Sequence, residues 1–167
     1  MAVVGTGAFC LPLENLRTLL ANCSAFQTWT GTANATAAKA RISLFAENID
    51  TLPTATITWG AQNNYASDKA FGGEGGTYIR GGNADIFFIG DLESTYAAYE
   101  DTLDDLMLDF CNGIGAIMDD LDELAGTDAY LDVTGWQKVG GPMRSGKEET
   151  EKIVELVVRV SWTGAAV

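Results

Sequence analysis

A helical period held from Leu92 to Ala125 constrains this chain more than any other feature. Its larger apolar residues are Leu92, Tyr96, Tyr99, Leu103, Leu106, Phe110, Ile114, Ile117, Leu121 and Leu124. They recur at alternating short steps that place them on one stripe of an α-helix. The spacing predicts one long amphipathic helix, or two stacked end to end. The opposite face carries Glu100, Asp101, Asp104, Asp105, Asp109, Asp119, Asp120, Asp122 and Glu123, and no Lys or Arg occurs between Arg80 and Lys138. Like charges one helical turn apart cost about 0.2–0.5 kcal/mol per pair. Such a helix persists only by burying its stripe on a broad surface, and most of the remaining chain reads as strand.

The strand signals begin at Arg41. Arg41–Ala46 is short and apolar, and Thr54–Trp59 alternates cleanly, with Ala55, Ile57 and Trp59 opposite Thr54, Thr56 and Thr58. That alternation marks a sheet with one wet face. Ala84–Ile89 reads as a buried strand that runs through Gly90 and Asp91 into the long helix, with Asp91 as its expected N-cap. Leu131, Val133 and Trp136–Val139 suggest another strand, and Gly140–Glu149 a polar loop. Lys152–Trp162 closes the chain with Val154, Leu156, Val158, Val160 and Trp162 on one face; its other face is mixed, which suits an interior strand. Gly60–Asn83 contains Gly72-Gly73-Glu74-Gly75-Gly76 and Gly81-Gly82, and reads as a long Gly-rich loop or an extended hairpin, with a short strand at Tyr78 and Ile79. Connections of this length are usually functional or ordered by a partner.

Before the strands, Leu13–Cys23 reads as a first helix with Leu13, Leu16, Leu19 and Leu20 on one face, and residues 1–12 as a loose arm. Ser24–Ala38 is ambiguous. Gly113 and Gly115 interrupt the long helix and imply close packing or a slight bend. The expected architecture is α+β. An antiparallel or mixed sheet of about five strands carries the short N-terminal helix and the long one, in a single domain over residues 1–167.

Charge and composition exclude several functions. The formal net charge is −13, so a basic footprint for nucleic acid or for an anionic membrane surface is not expected. No apolar run is long enough to predict a membrane span. The N-terminus lacks the basic start of a signal peptide, and three cysteines without a C-x-x-C pair do not make a disulfide framework. These features point to a chain made and kept in a cytosol, and deprive the Asn34-Ala35-Thr36 sequon of meaning.

Catalytic signatures are weak. Histidine is absent, which removes His-based nucleophile activation and most zinc sites. Gly141-Pro142-Met143-Arg144-Ser145-Gly146-Lys147-Glu148 matches a phosphate loop except at its last position, where Glu148 replaces the magnesium-binding hydroxyl. Gly73-Glu74-Gly75 leads to Tyr78 where a dinucleotide loop needs its third Gly. Asp101, Asp104, Asp105 and Asp109 lie along one helix face and not in a convergent pocket, so they read as a solvated face before a metal site. No cofactor, metal or catalytic residue is assigned; an enzyme of the carboxylate-metal type and a cytosolic adaptor with a recognition loop remain as alternatives.

The order of elements carries a resemblance. The leucine helix Leu13-Glu14-Asn15-Leu16-Arg17-Thr18-Leu19-Leu20 is followed by two strands and a Gly-rich excursion. Then come a strand into a long amphipathic helix, and the closing strand Ile153–Trp162. This pattern resembles the tail-terminator and neck (head-tail joining) proteins of long-tailed bacteriophages. The resemblance implies a non-enzymatic virion subunit assembled in the host cytoplasm. Its copies close into a homo-oligomeric ring, commonly a hexamer, between the tail tube protein and the head-side connector. Under it, Tyr78, Ile79 and Arg80 are expected to contact a neighbouring copy. Asp101, Asp104, Asp105 and Asp109 are expected to face a lumen through which DNA passes without adhering, because carboxylates repel phosphate within roughly 10 Å.

Overall fold

The computed structural model describes residues 11–46, 51–67, 77–92, 103–125, 131–145 and 153–164. Three short helices come first: α1 (Leu11–Asn22), α2 (Ser24–Thr30) and α3 (Ala35–Lys39). Strands β1 (Ile42–Leu44), β2 (Thr54–Ser67) and β3 (Thr77–Asp91) follow, then the long helix α4 (Leu103–Ala125), β4 (Leu131–Ser145) and β5 (Ile153–Gly164). The five strands form one sheet in the order β1-β2-β3-β5-β4. Only β1 and β2 are parallel; the other neighbours are antiparallel. The fold is α+β on a mixed sheet.

Helix α4 joins two strands that run the same way. β3 and β4 are both antiparallel to β5, which lies between them, so the chain must cross the sheet to get from one to the other. A crossover between parallel strands needs a long element, usually a helix packed on the sheet. The 23 residues of α4 supply it. Phe110, Ile114, Ile117, Met118, Leu121 and Ala125 of α4 are buried against Ala84, Ile86 and Phe88 of β3 and Val154, Leu156, Val158 and Val160 of β5 in one core. Each large side chain so buried contributes about 1.5–3 kcal/mol, which outweighs the repulsion on the acidic face. Leu92, just after β3, is also buried; the rest of the stripe N-terminal to Leu103, and Asp101 with it, lies outside the described residues.

The ambiguous stretch after α1 forms two helices. α2 ends on Gly31, whose φ of 65° is the left-handed conformation that glycine adopts without a Cβ penalty. α3 starts at Asn34, whose side chain accepts a hydrogen bond from the Ala37 N–H at 2.9 Å. The sequon asparagine is therefore a helix N-cap. Leu13, Leu16 and Leu20 of α1 and Phe26 of α2 complete the core over β1 and β2. The opposite face of β2 carries Thr54 and Thr56, which are buried but satisfied: Thr54 donates to the Arg41 carbonyl at 2.6 Å and Thr56 shares a 2.9 Å bond with Ser43.

One expectation is corrected. Gly140–Ser145 is not loop but the second half of β4, bulged near Gly140 and Met143 so that an edge strand bends around Pro142. Of the two alternatives for Gly60–Asn83, loop or extended hairpin, the described residues 60–67 and 77–83 form the hairpin: β2 and β3 stay paired from Thr54↔Ile89 out to Ser67↔Thr77, with irregularities near Asn63 and Asn64. Polar residues and glycines weaken a strand signal in sequence, but backbone pairing across a hairpin does not require apolar side chains. Asp91 is the last residue of β3, paired with Ile153, and Leu92 after it is helical, so Asp91 stands at the expected N-cap position.

Candidate functional site

Two features stand out from the compact body. The first is the far end of the β2–β3 hairpin. β5 accompanies β3 only from Gly82 to Asp91, and β1 accompanies β2 only from Ala55 to Ile57. Among the described residues, the ribbon beyond Gly82 has no strand on either side. An isolated two-stranded ribbon is marginal in water. Tyr78, Ile79 and Arg80 all lie on this projecting part of β3, where Tyr65 is matched with Ile79 and Ala66 with Tyr78.

The second feature is the outer surface of α4. Asp104, Asp105 and Asp109 are exposed, and the helix has no basic residue. The structure splits the acidic residues by role. Asp120 accepts from the backbone N–H of Ala25 and the hydroxyl of Ser24, and Asp122 accepts from the indole N–H of Trp136 on β4 at 3.0 Å. Those two carboxylates fasten α4 to its neighbours on either flank. Asp119 and Glu123 remain exposed, one turn apart.

Each flank of α4 holds a concavity. Between α2 and α4, an open cleft of about 590 Å³ is lined by Ala25, Trp29, Gly113 and Ala116 with Asp119 and Glu123 at its rim. A Cβ at Gly113 would stand 3.6 Å from Cδ1 of Trp29, an ordinary van der Waals contact, so the ring does not require a glycine there. Between α4 and β4, a groove of about 480 Å³ is lined by Asp104, Met107, Leu108, Cys111 and Pro142. Leu108 is 61% exposed. Leu108 interrupts the acidic face between Asp105 and Asp109, and that break in the pattern was the signal for this groove in the sequence. Burial pushes the Cys111 thiol up, and the Lys138 ammonium opposes the shift.

Of the catalytic near-matches, Gly73-Glu74-Gly75 and the Gly146-Lys147-Glu148 end of the phosphate-loop match lie outside the described residues. Gly141–Ser145 lies within edge strand β4, where a phosphate loop would open a helix. Among the described residues, no group of three His, Cys, Asp or Glu side chains is placed to hold a metal ion. Cys23 is buried, its thiol pushed up to about 12 by burial and by the Asp120 carboxylate. No helix among the described residues is long and apolar enough to cross a membrane. Neither the family models nor the curated proteins compared with this chain match it.

Proposed function

We propose that this chain is a structural virion subunit that closes into a ring at the end of a phage tail tube, joining the tail to the head-side neck. The observation that carries the reading is the β2–β3 ribbon. Among the described residues it runs beyond β1 and β5 with no strand on either edge, and a structure of that kind gains most by lying against another chain. An arm that leaves one body and docks on a different surface of the next makes a heterologous contact, and such contacts close into rings when the rotation permits. Tyr78, Ile79 and Arg80 are the interface residues in this reading.

The exposed carboxylates of α4 suit the wall of a DNA passage. A surface without cations releases no counterions from DNA and so gains no affinity for it. Asp104, Asp105 and Asp109 fill this role in the proposal, with DNA sliding past and not binding. The tail tube protein and the head-side connector are the proposed partners, and the virion neck the proposed location.

Light scattering on the purified protein, followed by negative-stain images of the same fraction, tests the ring. Rings or stacked tubes are expected, and deletion of Gly72–Gly82, which removes the Thr77–Gly82 part of β3, should abolish them while the thermal unfolding of the remaining sheet and helices stays cooperative. A deletant that assembles as well as the intact chain removes the ribbon from the interface. A protein that stays monomeric alone and with purified tail tubes overturns the ring.

A further inference from the structure

We infer that the open edge of β4 receives the β2–β3 ribbon of a second copy of this chain, which adds to the sheet as a further strand. The inference rests on the ring reading and names the surface on which its arm docks. β4 is the last strand in the order β1-β2-β3-β5-β4, so among the described residues only β5 pairs with it. Its pairing shifts between Val133 and Gly135, between Lys138 and Gly140, and between Gly140 and Met143, which leaves Gly135–Lys138 as its longest regular run. Such an edge offers unpaired backbone N–H and C=O groups to a strand from outside. Apolar side chains gather along it. Five large hydrophobic residues stand exposed among the described ones, and three of them are on β4: Trp136 at 39%, Val139 at 41% and Met143 at 56%. Single apolar residues scattered on a surface are ordinary, but three along one open edge mark a contact.

Topology and charge select the occupant. The ribbon has the same unmet need as the edge, since neither β1 nor β5 accompanies it beyond Gly82. It cannot satisfy that need within its own chain. The ribbon continues β2 and β3, whereas β5 lies between β3 and β4 and the open edge of β4 is on the far side. A neighbouring copy meets no such obstacle. Two copies that each carry a net charge of −13 must also meet where carboxylates are few. Residues 60–67 and 77–83 contain no Asp or Glu and one cation, Arg80; β4 contains Asp132 alone, with Lys138 and Arg144. Pairing these two elements brings a single carboxylate to the contact, whereas a contact through α4 would set its acidic face against a second net-negative chain. The contact is heterologous, so each copy keeps one free ribbon and one free edge until a ring closes.

Two variants test the pairing by complementation. Val139→Lys charges the edge at an exposed position, so it should unfold at the temperature of the parent. It also reduces the net negative charge, so lost assembly cannot come from added repulsion. Val139→Lys and the Gly72–Gly82 deletant should each be monomeric by light scattering under conditions in which the parent assembles. Mixed, they should form pairs and nothing larger, because the intact ribbon of the first docks on the intact β4 of the second. In the assembled parent, the Gly135–Lys138 amides should exchange slower by roughly tenfold or more than in the monomer. Rings in which those amides exchange as in the monomer, or Val139→Lys assembling as well as the parent, leave the ring standing and overturn β4 as its receptor. Mixtures that stay monomeric while the parent forms rings do the same. A parent that never assembles, alone or with tail tubes, overturns both readings.

Discussion

Asp120 of α4 caps α2 from outside it: its Oδ2 accepts from the Ala25 backbone N–H at 2.9 Å and from the Ser24 hydroxyl at 3.0 Å. The residue at the N-cap of α2, Cys23, has no side-chain capping bond of its own, so a carboxylate from another helix satisfies the orphan donor. The same negative charge sits at the positive end of the α2 dipole.

Asp120→Ala should therefore destabilise the protein by about 0.5–2 kcal/mol, the range for losing a cap. Asp119→Ala, one residue away and exposed, should be neutral or slightly stabilising. Urea unfolding of the two variants checks this, and equal losses would mean that Asp120 acts through general charge and not as a cap.

Glycines predict opposite outcomes at two positions. A Cβ at Gly90 would stand 2.9 Å from Cε2 of buried Phe110, close to the Trp29 ring at 3.6 Å. Gly90→Ala should cost about 1–3 kcal/mol by overpacking this aromatic cluster. At Gly115, inside α4, a Cβ meets nothing within 4 Å, so Gly115→Ala should stabilise by up to about 1 kcal/mol through helix propensity. Thermal unfolding of both distinguishes a packing glycine from an incidental one.

Cys23 gives a pH dependence. Its folded thiol is pushed from 9.0 to about 12, so at high pH the unfolded chain releases a proton that the folded chain keeps. The unfolded state then binds fewer protons, and stability falls as pH rises. This contribution is whole below about 9 and is lost progressively as pH climbs from there towards 12. Cys23→Ala should flatten the fall in unfolding free energy over that window. An unchanged slope would assign the alkaline loss to other groups.

Asp119 and Glu123 lie one turn apart and exposed, so they repel. Glu123→Lys should turn the repulsion into an attractive pair and stabilise the protein by a few tenths of a kcal/mol, about 0.2–0.5 for each interaction changed. Added salt should raise the melting temperature of the parent more than that of the variant.

Hydrogen exchange offers a readout of the ribbon. Among the described residues, Thr77, Tyr78, Ile79 and Gly81 pair with β2 alone, whereas Ala84–Phe88 have β2 on one side and β5 on the other. Amides of the first group should exchange faster in the isolated chain. They should become protected on assembly if the ribbon is the interface; unchanged exchange in an assembled sample would place the contact elsewhere.

The periodic segments were legible in the sequence because burial on one side leaves a local signature. The stripe Phe110, Ile114, Ile117 and Leu121 marked α4, and Val154–Trp162 marked β5, each from its own spacing. The acidic face was equally plain, as was the α+β class that follows from one long helix among strands. Long-range hydrogen bonds leave no such trace. That β5 enters between β3 and β4 and that β1 pairs parallel with β2 are decided by backbone partners far apart in sequence. The roles of individual carboxylates are also tertiary. Asp119, Asp120 and Asp122 look alike in the chain, and only the placement of Ala25 on one flank of α4 and Trp136 on the other makes two of them structural and leaves the third exposed. Periodicity reports which face a residue occupies; what stands opposite that face is settled only when the chain has folded.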